Sequence, residues 1–379
     1  MARVKERVGL RVGDNEWRAW SDVSITRSIE QVCSTAALSV SVIDWGHSQF
    51  TNAAPYLEIT PSGFCQVWIG PDAEFSKSEL IISGYVDGDT TTTSEGSAYK
   101  LEIRSKVADL VDCTVQHPTG VFRKQKVEDI AQALADPYNL TVLCEAESTG
   151  PVVESFRAEK TETVIKAIER LCRERGLLLF DDSIGNLVVS TVAAPGKVAT
   201  TLERGRNIKS LTRSRNVAQR FKHYLIRGQT YDEFGAEALV TDQWMNRNRT
   251  LCLDHDRAAS KADCDKRARW EAATRAGKSV QYEAEVAGWR TDSSDPESPL
   301  WEPNTLVHLF DMPLGVDDDL LIARVNYTKS VGGGETATLS LAYPGGYSPE
   351  PLVAKKYKRG KPKKDLKNVL GWDELRGGV

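Results

Sequence analysis

The sequence lacks the patterns that would mark it as an enzyme, a membrane protein or a secreted one. Its five histidines are His47, His117, His223, His255 and His308, with no HExxH and no i, i+4 pair to grip a metal. Its seven cysteines are Cys33, Cys65, Cys113, Cys144, Cys172, Cys252 and Cys264. The odd count, the wide spacing and the absence of CxxC argue against a disulfide framework and a zinc site. Several sit among apolar neighbours, as Cys172 does in IERLCRE, and read as small buried hydrophobes. No stretch approaches the roughly 18 consecutive apolar residues of a membrane helix. The opening MARVKERVGLRVGDNEW is too charged for a secretory signal, so the expectation is a soluble chain made in a cytoplasm. There is no GxSxG elbow, no GxxxxGK[ST] loop and no GxGxxG between strand and helix. A net charge of −4 removes the basic excess that wholesale nucleic-acid binding needs.

What remains is patterned for β-structure. At 379 residues the chain has room for two to three domains. In WSDVSITRSIE, Val23 and Ile25 alternate with polar neighbours, and AALSVSVIDW repeats this through Leu38, Val40 and Val42. LIISGYVDG and AYKLEIRSKV follow, with TTTTSEGS as a hairpin tip between them. Then the period changes. Val127, Ile130, Ala131 and Leu134 recur at helical spacing until Pro137. A second helix covers TETVIKAIERLCRERG, with Val164, Ile168, Leu171 and Cys172 on one face, Thr161 as N-cap and Gly176 in a left-handed C-cap. LLLF and LVVS form a hairpin around Gly185-Asn186. From about Arg206 strands return, interrupted by a helical stretch over 258–276 whose apolar stripe is weak apart from Trp270. That helix is expected on a surface or at an interface. DSSDPESP reads as a polar surface loop, and Gly332, Gly333 and Gly334 as a hairpin loop between the last two strands.

Candidate chemistry is thin. His255 between Asp254 and Asp256 reads as a solvated loop before a helix rather than an acid–base site. Asp317, Asp318 and Asp319 read as a solvated turn; they could weakly hold Ca²⁺, but without the interleaved spacing of a calcium loop. A carboxylate pair for glycoside hydrolysis stays open, because such a pair meets only in the fold. No catalytic, cofactor-binding or metal residue is assigned. After Pro344-Gly345-Gly346 the composition shifts, leading to the basic run KKYKRGKPKKDLK. Lys355, Lys356, Lys358, Arg359, Lys361, Lys363 and Lys364 could meet phosphates or an acidic protein patch, or merely keep a linker solvated. With Trp372 they form the candidate partner-docking set.

In order along the chain, WSDVSITRSIEQV, SGYVDGD, RSKVADLVDCTV, VEDIAQALADPYNLTV, TETVIKAIERLCRERGLLLFDDSIGNLVVS, RFKHYLIRGQ, VQYEAEVAGWR, LWEPNTLVHL and LIARVNYTKS resemble segments of one family. It comprises the baseplate hub proteins of Mu-like contractile-tailed phages, similar to the T-even tail hub. The resemblance implies a β-rich α+β protein with two small β-barrel domains, an inserted α+β domain and a further small mixed region, assembling as a trimeric ring. The expected division is 1–105 for the first barrel, 106–200 for the α+β domain, 201–349 for the second barrel region with a helical insertion, and 350–379 for the basic tail. The implied function is a structural, non-enzymatic hub joining tail tube to central spike around a channel for DNA. The implied partners are two further copies, tube and tube-end proteins, the spike and other baseplate proteins, in a virion assembled in the host cytoplasm. A tail-associated cell-wall hydrolase and the hub of a phage-tail-like bacteriocin are the alternatives. The two-barrel arrangement rests on the resemblance alone, and the resemblance ends near Pro349.

Overall fold

Strict alternation of buried and solvent-facing residues sets the dominant element, a sheet of thirteen strands. The computed structural model describes residues 4–41, 59–72, 77–92, 98–173, 175–228, 236–255 and 261–347. The first seven strands are β1 (Glu6–Val12), β2 (Asn15–Trp17), β3 (Asp22–Ser28), β4 (Thr35–Ser41), β5 (Phe64–Pro71), β6 (Glu79–Thr92) and β7 (Ala98–Ser105). They pair antiparallel in the order β3-β4-β7-β6-β5-β1-β2. Val23 and Ile25 turn inward while Ser24 and Thr26 face out, and the register sets them against Leu38 and Ala36 of β4. Val40 is half-buried against the same core, whereas Val42 lies outside the described residues.

Next comes an α+β unit: α1 (Ala108–Asp112), β8 (Val121–Gln125), α2 (Val127–Ala135), β9 (Val142–Cys144), β10 (Val153–Arg157), α3 (Val164–Arg173), β11 (Leu178–Asp181) and β12 (Leu187–Ser190). Its strands form two small sheets, β8-β10 and β11-β12-β9. Val127, Ile130, Ala131 and Leu134 of α2 meet Val164, Ile168, Leu171 and Cys172 of α3 in one core, as the helical spacing predicts. Each larger aliphatic side chain buried there contributes roughly 1.5–3 kcal/mol, so a charge at Ile168 would break the unit. The start of α3 differs from the sequence reading. Thr163, not Thr161, precedes the first helical residue, because Thr163 is held extended by a bridge to Thr114. Gly176 does adopt the left-handed conformation, with φ +59°.

β13 (Lys197–Glu203) and β14 (Ile208–Arg215) return the chain to the large sheet. It then leaves again for a small layer of β15 (His223–Gly228), β16 (Glu237–Thr241) and β17 (Thr250–His255) under α4 (Lys261–Lys278). The weak stripe of α4 has a physical reason: Cys264, Ala268 and Ala272 suffice, because the sheet side offers the bulk of Tyr224 and Ile226. Trp270 is only half-buried. The chain closes with β18 (Val280–Ala287), β19 (Leu306–Asp311), β20 (Val316–Ser330) and β21 (Gly334–Ala342).

β20 decides the architecture. Its first residues pair with β19, its later ones pair with β3 in the register Arg324↔Ser28 to Lys329↔Val23, and β21 runs along its other side. The regions expected to form two small barrels therefore belong to one sheet, and its ladder does not close among the described residues. A single hydrophobic core runs from Val8 and Leu10 through Ile25, Leu101 and Tyr327 to Leu341. Trp289 lies inside it and donates from Nε1 to the carbonyls of Thr328 at 3.2 Å and Thr336 at 3.0 Å. The glycines at 332–334 do make the β20–β21 hairpin loop. Asp317, Asp318 and Asp319, read from sequence as a turn, lie within β20 instead.

Candidate functional site

Among the described residues no group of three or more His, Cys, Asp or Glu side chains is arranged to hold a metal. The polar chemistry buried in this chain ties its parts together. Two of its nodes join elements far apart in the sequence.

The first is centred on Arg290, just beyond β18. Its Nε donates to Glu6 Oε1 at 2.6 Å, and one terminal nitrogen donates to Glu79 Oε1 at 2.7 Å and to the carbonyl of Ser298 at 2.6 Å. Arg290 and Glu6 are 3% and 2% exposed, so this pair sits where removing one charge strands the other. Burial works against the charge on Arg290, but the hydrogen bonds to Glu6 and Glu79 outweigh it and hold its pKa above the ordinary value. Burial also dominates at Glu6, raising its carboxyl above the usual range despite Arg290. The backbone of Glu6 extends the node: its N–H donates to Glu335 Oε2 at 3.1 Å, and its carbonyl accepts from Lys329 Nζ at 2.8 Å. Thus β1, β6, β20, β21 and the end of β18 are tied at one place.

The second node joins the α+β unit to the large sheet. Asp181, at the end of β11, accepts from the backbone N–H of Ser34 at 2.9 Å and from its hydroxyl at 2.6 Å. Burial raises the Asp181 carboxyl, more than hydrogen bonds from Ser105 and Ser34 and the nearby Arg27 lower it. The β11–β12 hairpin tip presses on the same region. Gly185 has φ +83°, and a Cβ there would lie 2.6 Å from Lys106 Cε and 2.7 Å from the Ser83 carbonyl. Only glycine satisfies both the backbone conformation and this approach.

A surface cluster accounts for the three aspartates. Alternation in β20 puts Asp317 and Asp319 on one face, where His308 reaches Asp319 through Nδ1 at 2.8 Å and Asp317 through Nε2 at 3.2 Å. Lys197 adds a 2.6 Å contact to Asp319 and, by that hydrogen bond, holds its carboxyl below the ordinary range. Asp318 points the other way, accepts from the Tyr343 hydroxyl at 3.2 Å and is raised chiefly by burial. These acids are thus strand residues with side-chain partners on β13, on β19 and at Tyr343, not a cation loop.

The candidate docking residues Lys355, Lys356, Lys358, Arg359, Lys361, Lys363, Lys364 and Trp372 all lie outside the described residues. So does Asp256, while His255 ends β17. No disulfide joins the seven cysteines, all of which are among the described residues. Cys65, Cys172 and Cys264 are buried as small hydrophobes, and burial pushes Cys65 and Cys172 up to about 12. Cys144 and Cys252 are exposed. The DSSDPESP loop is less free than its composition suggests: the Arg290 contact with Ser298 and a bridge between Arg290 and Leu300 hold it down. Glu6, Asp181 and Arg290 were not found by motif. The available signal was strand period, since Glu6 shares the inward face of Val8 and Leu10, and Asp181 that of Leu179.

Comparison with known proteins gives this frame a family context. The family described as baseplate hub protein gp44-like, second domain, matches residues 107–191. The fourth domain of the Mu phage baseplate assembly protein GpP matches residues 260–350. Over 359 residues the chain is 27% identical to the baseplate hub protein gp44 of Escherichia phage Mu, covering 89% of this chain and 88% of that protein. The crystal structure of a 43 kDa tail protein of prophage MuSo2 from Shewanella oneidensis superposes with a TM-score of 0.77 at 29% identity, covering 90% of this chain and 99% of that one. A tail protein from Neisseria meningitidis MC58 shares the fold, with a TM-score of 0.75 at 21% identity over 91% of this chain and 98% of the other. The resemblance expected from sequence holds along nearly the whole chain.

Proposed function

We infer that this chain, a relative of the Mu baseplate hub protein, is a structural hub subunit of a contractile phage tail baseplate. The observation that carries the reading is similarity over 89% of the chain to a baseplate hub protein, on a sheet that joins strands of residues 6–105 to strands of residues 197–342. Three copies form a ring with a central channel through which DNA passes, the tail tube on one side and the spike on the other. Within it, residues 1–105 and 201–349 are the two barrel-like hub domains and 106–200 is the α+β domain. The subunit works without catalysis, as its structural relatives suggest, and acts in the virion after assembly in the host cytoplasm.

The physical logic favours such a part. A cyclic trimer closes through heterologous contacts that must survive the force of sheath contraction. A subunit built as one sheet, with Arg290 tying strands from both ends of the chain, resists being pulled into two pieces. The basic stretch at 355–364 and Trp372 dock on a neighbouring baseplate protein.

Negative-stain electron microscopy of the purified full chain is expected to show threefold rings with a central opening. A monomer at tens of micromolar (~10⁻⁵ M, far above the dissociation constants of standard-size interfaces) that also releases fragments from peptidoglycan would overturn the reading in favour of a hydrolase.

A further inference from the structure

Where four parts of the chain converge, the surface carries an open groove of about 370 Å³. Its apolar lining comes from Val32 after β3, Cys172 of α3, Leu177 and Leu178 at β11, and Trp270 of α4. Tyr347, the last described residue, also lines it. The direction in which the chain arrives there is fixed twice. The Tyr347 hydroxyl donates to Glu30 Oε1 at 2.6 Å, and Lys278 stands over the tyrosine ring at 5.2 Å. Just before it, Gly346 packs on Gly277 so closely that a Cβ at Gly277 would lie 2.4 Å from the Gly346 nitrogen.

We propose that the groove is occupied by this chain's own C-terminal segment, Pro351-Leu352-Val353. Thirty-two residues, 348–379, follow Tyr347. Leu352 comes five residues after Tyr347, a span of up to about 17 Å for extended chain. It and Val353 are the tail's first aliphatic pair; the next, Val369-Leu370, comes after the whole basic run. Closing the longer loop costs more entropy, so the nearer pair is favoured. A tethered segment also binds at an effective concentration near millimolar, an advantage no free partner has. Anchored at Leu352, the basic run would leave the hub beside α4, at one defined point per subunit. The proposal does not depend on the hub reading.

The test places a benzophenone amino acid at Leu352 of the full chain and maps the products of irradiation by mass spectrometry. Equal amounts of light and heavy isotope-labelled protein are mixed beforehand. Crosslinks within one chain to 172–179 or 270–278 are expected, with yield falling at least fivefold in Trp270→Glu. Crosslinks between light and heavy chains, or scattered over the surface, would overturn the proposal. Hydrogen exchange covers the case in which Trp270→Glu fails to fold. Exchange in 176–179 and 270–278 should be several-fold faster in a chain ending at Tyr347 than in the full chain; equal rates would also overturn it. Ring formation is scored separately by microscopy, so loss of one reading leaves the other standing.

Discussion

Replacing Arg290 with methionine tests the idea that one buried cation holds the sheet together. The substitution keeps an unbranched side chain of similar reach and removes the charge. Glu6, 2% exposed, then keeps a carboxylate with no cation, while the 46% exposed Glu79 can turn to water. Breaking a buried pair from one side costs about 3–5 kcal/mol. The upper part of that range applies, because the carbonyl of Ser298 also loses its donor. For a cooperative unit of about 150–250 residues, such a loss of about 4–5 kcal/mol corresponds to a fall in melting temperature of roughly 8–20 °C. The companion experiment is Glu6→Gln on the Arg290→Met background. Removing the stranded charge should recover at least half of the loss, since most of the penalty is the unpaired carboxylate rather than a missing attraction. Denaturant midpoints, or thermal melts at pH 7 and low salt, read both. If Arg290→Met melts within about 1 °C of the wild type, or if the double variant is no better than the single, the node is not what couples the two halves. A pH check follows from the sign of the Glu6 shift. A carboxyl raised in the folded state favours folding when protonated, so Arg290→Met should regain stability as pH falls towards the ordinary carboxylate pKa near 4.

Asp181→Asn tests the second node. The Asp181 carboxyl is raised on folding, so its contribution is fully present below the unfolded pKa near 4 and is lost as pH rises through the folded value. The stability difference between wild type and Asp181→Asn, followed by denaturant titration from pH 4 to 7, should therefore shift against the wild type as pH rises. A difference independent of pH would show that Asp181 does not titrate as a buried acid. Gly185→Ala places a Cβ against the Ser83 carbonyl in a left-handed backbone; the expected loss is about 1–3 kcal/mol. Hydrogen exchange should show the β11–β12 hairpin loosening first. Unchanged protection there would mean the tip does not carry the docking of the α+β unit.

What the sequence disclosed, and what it withheld, follows the range of the forces involved. Short-range periodicity placed the faces of α2 and α3 and the alternation of β3 and β4, because each depends on residues a few positions apart. Its failures were local conflicts that distant partners resolve. Three consecutive aspartates look like a turn until their partners arrive: His308 of β19 for Asp317 and Asp319, Lys197 of β13 for Asp319, and Tyr343 for Asp318. The weak stripe of α4 predicted a surface or interface position, and the three strands beneath it supply the volume that its small residues lack. The buried acids are the instructive case. In the structure strand alternation sets Glu6 and Asp181 on inward faces, and an inward carboxylate demands a buried donor. For Glu6 the donor is Arg290, 284 positions away, in a segment that composition marks only as the edge of a polar loop. An acid at an inward strand position is therefore a request for a remote partner that local pattern can pose but not answer. Here Glu6 also answers the question of architecture. The backbone of the same residue, bonded to Glu335 and Lys329, fastens β1 beside the β20–β21 hairpin, so two regions that read as separate barrels cohere in one frame.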